Sequence, residues 1–177
     1  VVCHTKRMGG GFGGKETRSV FISSACALAA HRLKKPVKML IERDVDMKTT
    51  GTRHPFHAKY KAAIDVQSHK LKALDIQLFN NAGFSLDLSE AVMDRALFHC
   101  ENAYKIENVR AVGKVCMTNT LSNTAFRGFG APQSMICTEA IIAHLAHSLG
   151  VPCETVREAN LYQDGQITHY GQEVSNT

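Results

Sequence analysis

The chain has 177 residues, of which 44% are hydrophobic, 21% charged and 7% aromatic. That balance excludes collagen-like and disordered chains, and no apolar run approaches the ~20 residues of a membrane-crossing helix, so no membrane partner is expected. Lys and Arg total 21 against 16 Asp and Glu, a net charge of +5. The positive residues (Arg32, Lys34, Lys35 and Lys38; Arg53, Lys59 and Lys61) are scattered instead of forming a stripe, so no nucleic-acid partner is expected either.

In chain order, the run from Val1 to Arg7 reads as a strand that delivers the chain into the glycine-rich segment Met8 to Lys15. From Glu16 the period becomes helical, with Val20, Ala27, Leu28 and Ala30 on one face, and Pro36 predicts the stop. Val37 to Ile41 is a predicted short strand, followed by a polar turn over Arg43 to Asp46. Tyr60–Val66 and Leu71–Phe79 alternate around Ser68-His69, the pattern of a hairpin. Leu88 to Phe98 is helical, with Asp87 or Ser89 as N-cap, and Val109 to Thr118 is a strand.

Asn119 to Gly130 is polar and glycine-bearing, hence a loop. Pro132 can start the helix that carries Met135 to Leu149, with Gly150 as its stop, and a short helix follows over Pro152 to Leu161. Irregular mixing of strands, a hairpin and helices predicts an α+β fold, not a doubly wound sheet. The six cysteines, at 3, 26, 100, 116, 137 and 153, form no C-x-x-C pair and predict neither a zinc nor an iron–sulfur site. Cys26, Cys100 and Cys137 suit buried free thiols, which predicts a reducing compartment. The chain opens without an initiator Met and stops at Thr177 without an obvious terminating element, so it reads as readily as an excised segment as a complete protein.

The glycine segment satisfies two nucleotide-binding patterns formally. Gly9, Gly11 and Gly14 match G-x-G-x-x-G, and Gly9, Gly14 and Lys15 match the start of a phosphate loop. The second fails because Glu16 stands where a magnesium-binding hydroxyl belongs. The first fails because Glu42 and Asp44 arrive late and a hairpin follows. What remains is a backbone able to approach a ligand closely and aim several N–H groups at one electronegative atom, or else simply a tight strand-to-helix turn. Glu16 at a helix start is ordinary electrostatics by itself. Phe126 and Phe129 among glycines either cap a core or offer a ring face to a planar ligand. Arg95, with Asp94 adjacent and facing elsewhere, is by spacing alone a helix-surface arginine.

Four segments in order resemble the molybdenum-hydroxylase family. They are Met8-Gly-Gly-Gly-Phe-Gly-Gly-Lys-Glu-Thr-Arg18, Gly51-Thr-Arg-His-Pro-Phe56, Arg95-Ala-Leu-Phe-His99 and Ser122-Asn-Thr-Ala-Phe-Arg-Gly-Phe-Gly130. The likeness continues through Asn160-Leu-Tyr162 and Thr168-His169, with Thr120-Leu121 and Ala131 as departures from the family pattern. It implies that residues 1–177 are part of one molybdenum-cofactor and substrate-binding domain, within a longer protein that also carries iron–sulfur and FAD domains.

The resemblance assigns roles residue by residue. Phe12 and Gly13 lie against the molybdenum centre, and Arg127, with Ala125, lines the cofactor side of the pocket; Phe12 and Arg127 are the implied molybdenum-centre contacts. Glu16 hydrogen-bonds a purine, Arg95 reaches it from the other side, Phe129 stacks on its ring, and Ala125 borders it. Both polar groups, Glu16 and Arg95, favour a purine over an aldehyde. The implied reaction is hydroxylation of hypoxanthine to xanthine and of xanthine to urate, with Arg95 and Glu16 as catalytic residues. Negative charge building on the heterocycle is what a positioned guanidinium would stabilise.

Implied cofactors are molybdenum-molybdopterin here, with FAD, two [2Fe-2S] clusters and NAD as acceptor elsewhere in the longer protein. A general-base glutamate and a second stacking Phe are expected beyond Thr177. The remaining expectations are a homodimer, contact with the rest of the same polypeptide, a cytoplasmic or peroxisomal location, and no activity for this chain alone. An aldehyde-oxidising member of the family and a catalytically silent binding module are the alternatives.

Overall fold

The computed structural model describes Val2 and residues 4–175. Their elements run α1 (Ser19–Leu33), α2 (Arg43–Thr49), β1 (Phe56–Ile64), β2 (Leu71–Gly83), α3 (Ser89–Phe98), β3 (Asn108–Met117), α4 (Ala131–Leu149) and α5 (Cys153–Asn160). The three strands form one sheet in the order β1-β2-β3. β1 and β2 are the predicted antiparallel hairpin, turning through residues 65–70, with His69 at φ +55°. β3 lies parallel to β2, and α3 makes the crossover between them. The mixed α+β architecture is the expected one.

β2 is the central strand and shows why the hairpin was legible. Leu74, Ile76, Leu78, Asn80 and Ala82 point alternately into the core, while Asp75, Gln77, Phe79 and Asn81 face the other side half-buried. Helices α3 and α4 cover the inner face. Met93 and Ala96 from α3, Ile141, Ile142 and Ala146 from α4, and Val156 from α5 complete the core with Cys100, Tyr104 and Ile106. Each fully buried aliphatic side chain of this kind contributes about 1.5–3 kcal/mol. Gly113 lets α3 lie close on β3, because a Cβ there would meet the Met93 sulfur at 2.6 Å.

Several local expectations fail. Val2 and residues 4–7 form no strand, and Val1 and Cys3 lie outside the described residues. Residues 37–41 form no strand, since a strand needs a ladder partner and the sheet ends at β1 and β3. The polar stretch over Arg43 to Asp46 is the first turn of α2. Asp44 and Asp46 favour the positive end of that helix, and the Asp46 amide closes the first bond on the Glu42 carbonyl at 2.9 Å.

Neither Asp87 nor Ser89 caps α3; Leu88 occupies the cap position with no side-chain bond. Helix α4 starts at Ala131 with Pro132 in its first turn and stops at Gly150, φ +69°, as expected. Cys100 is buried, but Cys26 and Cys137 are only half-buried; all three are free thiols. Cys3 and the final Asn176 and Thr177 are beyond the described residues.

Candidate functional site

The glycine segment alternates backbone hand: Gly10, Phe12 and Gly13 stand at φ +90°, +50° and +88°. Two bonds close the turn, Lys15 N–H to the Gly11 carbonyl at 3.2 Å and Glu16 N–H to the Gly13 carbonyl at 2.9 Å. The amides of residues 9–14 donate no hydrogen bond among the described residues. A Cβ at Gly11 or Gly14 would meet only open space, whereas one at Gly13 would lie 2.9 Å from the Ala125 carbonyl carbon and oxygen. Gly13 is therefore seated on Ala125, itself fully buried. Two segments far apart in the chain meet at two of the predicted site residues. Phe12, 66% exposed, projects from the same turn.

Arg95 and Phe129 line one pocket. α3 buries Val92, Met93 and Ala96, which leaves Ala91, Asp94, Arg95 and Phe98 on one outward face at helical spacing. Those four residues line a pocket of about 480 Å³ with His99, Phe129, Tyr170 and Gln172. Phe98 and Tyr170 meet edge-on at 5.2 Å across it. Phe129 stands at φ +52°, its amide donating to the Phe126 carbonyl at 2.7 Å. Gly130 follows at φ +104° and lies so close to α3 that a Cβ would overlap the Val92 carbonyl oxygen. That close approach holds the Phe129 loop against α3, which bears Arg95.

Two predicted residues stand apart. Glu16 is exposed, and its carboxylate makes no hydrogen bond or ion pair among the described residues. It precedes α1, whose first turn holds no acid, so the helix-start explanation for Glu16 fails. Arg127 is exposed, and what the structure fixes is its backbone: its carbonyl accepts Arg53 Nη2 at 2.6 Å. The Arg53 guanidinium also covers the Phe126 ring at 4.7 Å.

Several residues with no predicted role in the site organise it. Asp87 Oδ1 accepts Thr17 Oγ1 at 2.8 Å, and its Oδ2 accepts Thr124 Oγ1 at 2.5 Å and lies 3.8 Å from Arg18 Nη2. Burial would raise the Asp87 carboxyl; the Thr124 and Thr17 hydroxyls, the Leu88 amide and the Arg18 charge together hold it below the usual carboxylate range. His54 is 2% exposed, with Nε2 2.7 Å from Ser89 Oγ. Burial lowers its pKa to about 4, assisted by Arg18 and opposed by Asp87. At neutral pH it is an uncharged strut under the start of α3.

The segment after α5 is tied down by Glu101. Its Oε2 accepts the His169 amide at 2.8 Å, His169 Nδ1 at 2.5 Å and the Tyr162 hydroxyl at 2.8 Å. His169 Nε2 faces the Leu97 carbonyl at 3.0 Å, so both ring nitrogens meet acceptors and the ring is held as imidazolium. The Cys100 sulfur and the Glu101 carboxylate raise its pKa to about 10 against burial. Thr168-His169 was part of the family likeness, but nothing local in the chain pairs it with Glu101.

Among the described residues no group of three or more His, Cys, Asp or Glu could hold a metal ion directly. The unengaged amides of residues 9–14, with open space before Gly11 and Gly14, fit instead a ligand that presents oxygen acceptors, with any metal carried on an organic cofactor. Residues 1–161 match the molybdopterin cofactor-binding domain. The chain belongs to that family.

It is 51% identical to the xanthine dehydrogenase of Dictyostelium discoideum over 176 residues, 99% of this chain and 13% of that protein. It is likewise 51% identical to the xanthine dehydrogenase/oxidase of Rattus norvegicus over 174 residues, 98% of the chain and 13% of that protein. The chain thus spans about 13% of the length of these relatives. In structure it matches the aldehyde oxidoreductase of Desulfovibrio gigas with a TM-score of 0.83 at 30% identity, covering 94% of this chain and 18% of that one.

Proposed function

We propose that residues 1–177 form part of one molybdenum-cofactor and substrate-binding domain in a purine hydroxylase that converts hypoxanthine to xanthine and xanthine to urate. The observation that carries this reading is that Arg95 and Phe129 line one pocket of about 480 Å³. A planar, electron-poor heterocycle needs those two groups: a ring to stack on and a fixed positive charge. The xanthine dehydrogenase relatives support a purine substrate, since their names are the ones attached to about half-identical sequence along almost the whole chain.

In this reading the Gly13 turn and Phe12 face the molybdenum centre, with Arg127 and Ala125 on the same side. Free amides of the turn would hold the cofactor's oxygen atoms. When bound, the cofactor would supply the two-electron oxidation and the oxygen that replaces hydrogen on a ring carbon. Phe129 binds the purine face, and the small Ala125 seats the Gly13 turn at the border of that site. Arg95 opposes the charge that develops on a purine carbonyl oxygen. A preorganised donor of this kind contributes about 10²–10³-fold in rate because it needs no reorganisation as charge builds. Glu16, exposed and unengaged among the described residues, has its whole hydrogen-bonding capacity free for the substrate. The longer protein carries FAD, two [2Fe-2S] clusters and NAD as acceptor, pairs as a homodimer, and works in the cytoplasm or peroxisome.

Arg95→Met in the whole protein tests the assignment. Xanthine kcat and kcat/KM are expected to fall together by about 10²-fold or more, with Lys restoring only part because a point charge lacks the planar fork. An aromatic aldehyde, which places no carbonyl oxygen against residue 95, is expected to lose little. A parallel fall for both substrates at unchanged molybdenum content would refute the role of Arg95 and, with it, the purine reading of the pocket.

A further inference from the structure

The three segments that carry the proposed site converge on one side chain. Thr17 and Arg18 follow the glycine turn, Thr124 precedes Ala125 and the Phe129 loop, and Asp87 stands two residues before α3, which bears Arg95. The Asp87 carboxylate takes the Thr17 hydroxyl on one oxygen and the Thr124 hydroxyl on the other, at 2.8 and 2.5 Å. Arg18 reinforces the join from behind: its Nη2 donates to the Ser122 and Asn123 carbonyls at 3.3 and 3.4 Å while facing Asp87. Arg18 and Asp87 are nearly buried, at 8% and 11% side-chain exposure. Asp87 also holds φ +44°, a left-handed conformation that costs a non-glycine residue energy and persists where surroundings enforce it.

No helix or strand contains this join. α1 buries no residue of its own, so nothing in its packing fixes where the glycine turn sits against the Phe129 loop. The Gly13–Ala125 contact is steric and sets a closest approach only. A directional bond on each side of one carboxylate, beside the longer Arg18 bonds to the Ser122 and Asn123 carbonyls, supplies that restraint and alone extends it to the start of α3.

We propose that Asp87 is a positioning residue that locks the cofactor-facing glycine turn to the substrate-facing loop and to the start of α3, so that the two faces of the site keep one geometry. The proposal rests on the functional reading above only for its kinetic consequence; the mechanical coupling stands on the bonds themselves. Misplacement of reacting groups by about 1 Å can cost on the order of 10²-fold in rate, while stacking on Phe129 tolerates such a shift. Removal of the carboxylate is therefore expected to act on kcat and to spare KM.

The experiment uses the whole protein loaded with its cofactor. Asp87→Ala is expected to lower xanthine kcat per molybdenum by about 10²-fold with KM changed by less than about threefold. Asp87→Asn, which can still accept from one threonine and donate to the other, is expected to recover about tenfold of that loss. Hydrogen exchange reads the coupling independently. Thr17→Val is expected to speed exchange of the Asn123 and Thr124 amides, bonded to the Ala82 and Thr52 carbonyls. Thr124→Val is expected to speed exchange of the Lys15 and Glu16 amides, each on the order of tenfold.

If each threonine variant changes exchange only on its own side, the lock is overturned, and it is equally overturned if Asp87→Ala lowers thermal stability while kcat per molybdenum stays normal. If Asp87→Ala does not fold, the two valine variants alone decide. A wild-type protein with no purine turnover would remove the functional reading but leave the exchange result to stand or fall separately.

Discussion

Replacing Gly130 with alanine is expected to damage both stability and catalysis, and the structure gives the size of each effect. Gly130 stands at φ +104° where the Phe129 loop meets α3. A left-handed backbone of that kind costs an L-residue about 1–3 kcal/mol. The added methyl would overlap the Val92 carbonyl oxygen and lie 3.0 Å from the Val92 carbon and 3.2 Å from the Ala96 nitrogen, all backbone atoms of a packed helix. No side chain can swing away, so loop and helix must part by about 1 Å, at roughly another 1–3 kcal/mol of overpacking.

The sum, about 4 kcal/mol, is a large share of a domain's net stability. The same displacement separates Phe129 from Arg95, so xanthine kcat/KM should fall by about 10²-fold. Gly150→Ala is the matched control. Gly150 also has positive φ, +69°, but a Cβ there meets nothing within 4 Å, so only the backbone cost applies. Calorimetry and steady-state kinetics on the whole protein, for both variants, separate the two costs. Equal melting shifts for Gly130→Ala and Gly150→Ala, with normal xanthine kinetics, would refute the packing reasoning.

Glu16→Val should raise KM or lower kcat for xanthine with little change in thermal stability, because the carboxylate makes no hydrogen bond or ion pair among the described residues. Unchanged kcat/KM would remove Glu16 from the substrate site. His169→Gln should abolish a specific pH dependence of stability. His169 has its pKa raised from 6.5 to about 10, so its pair with Glu101 contributes in full below pH 6.5 and is lost as pH rises through about 10. The contribution is a few kcal/mol at most. Wild-type melting temperature should therefore converge on that of His169→Gln between pH 6.5 and 10.5; parallel curves would show that the ring is not held as imidazolium.

The amino-acid sequence by itself determined what depends on near neighbours. Hydrophobic period identified α1, α3 and α4, and alternation identified the β1–β2 hairpin; for α3, α4 and β2 the reason is that burying one face of an element writes its period into the chain. Pro36, Pro132 and Gly150 marked element ends correctly, since their backbone preferences act locally. The glycine turn was visible for the same reason. Two of its three positive φ values, at Gly10 and Gly13, are ones that glycine adopts without steric cost.

What only the tertiary structure decided is whatever depends on a distant partner. Val37 to Ile41 has strand-forming residues but no ladder to join, so it stays unpaired, while Arg43 to Asp46 looked like a turn until its carboxylates met a helix end. Asp87 read as a helix cap. Its carboxylate instead joins Thr17, 70 positions earlier, to Thr124, 37 positions later. Arg95 looked like any surface arginine by its spacing, and it is the fold that brings Phe129 and Tyr170 against the same helix face. A chain declares which residues prefer to be buried and how its backbone bends. Which polar groups then find each other depends on loops closed over dozens of residues, and no local pattern carries that information.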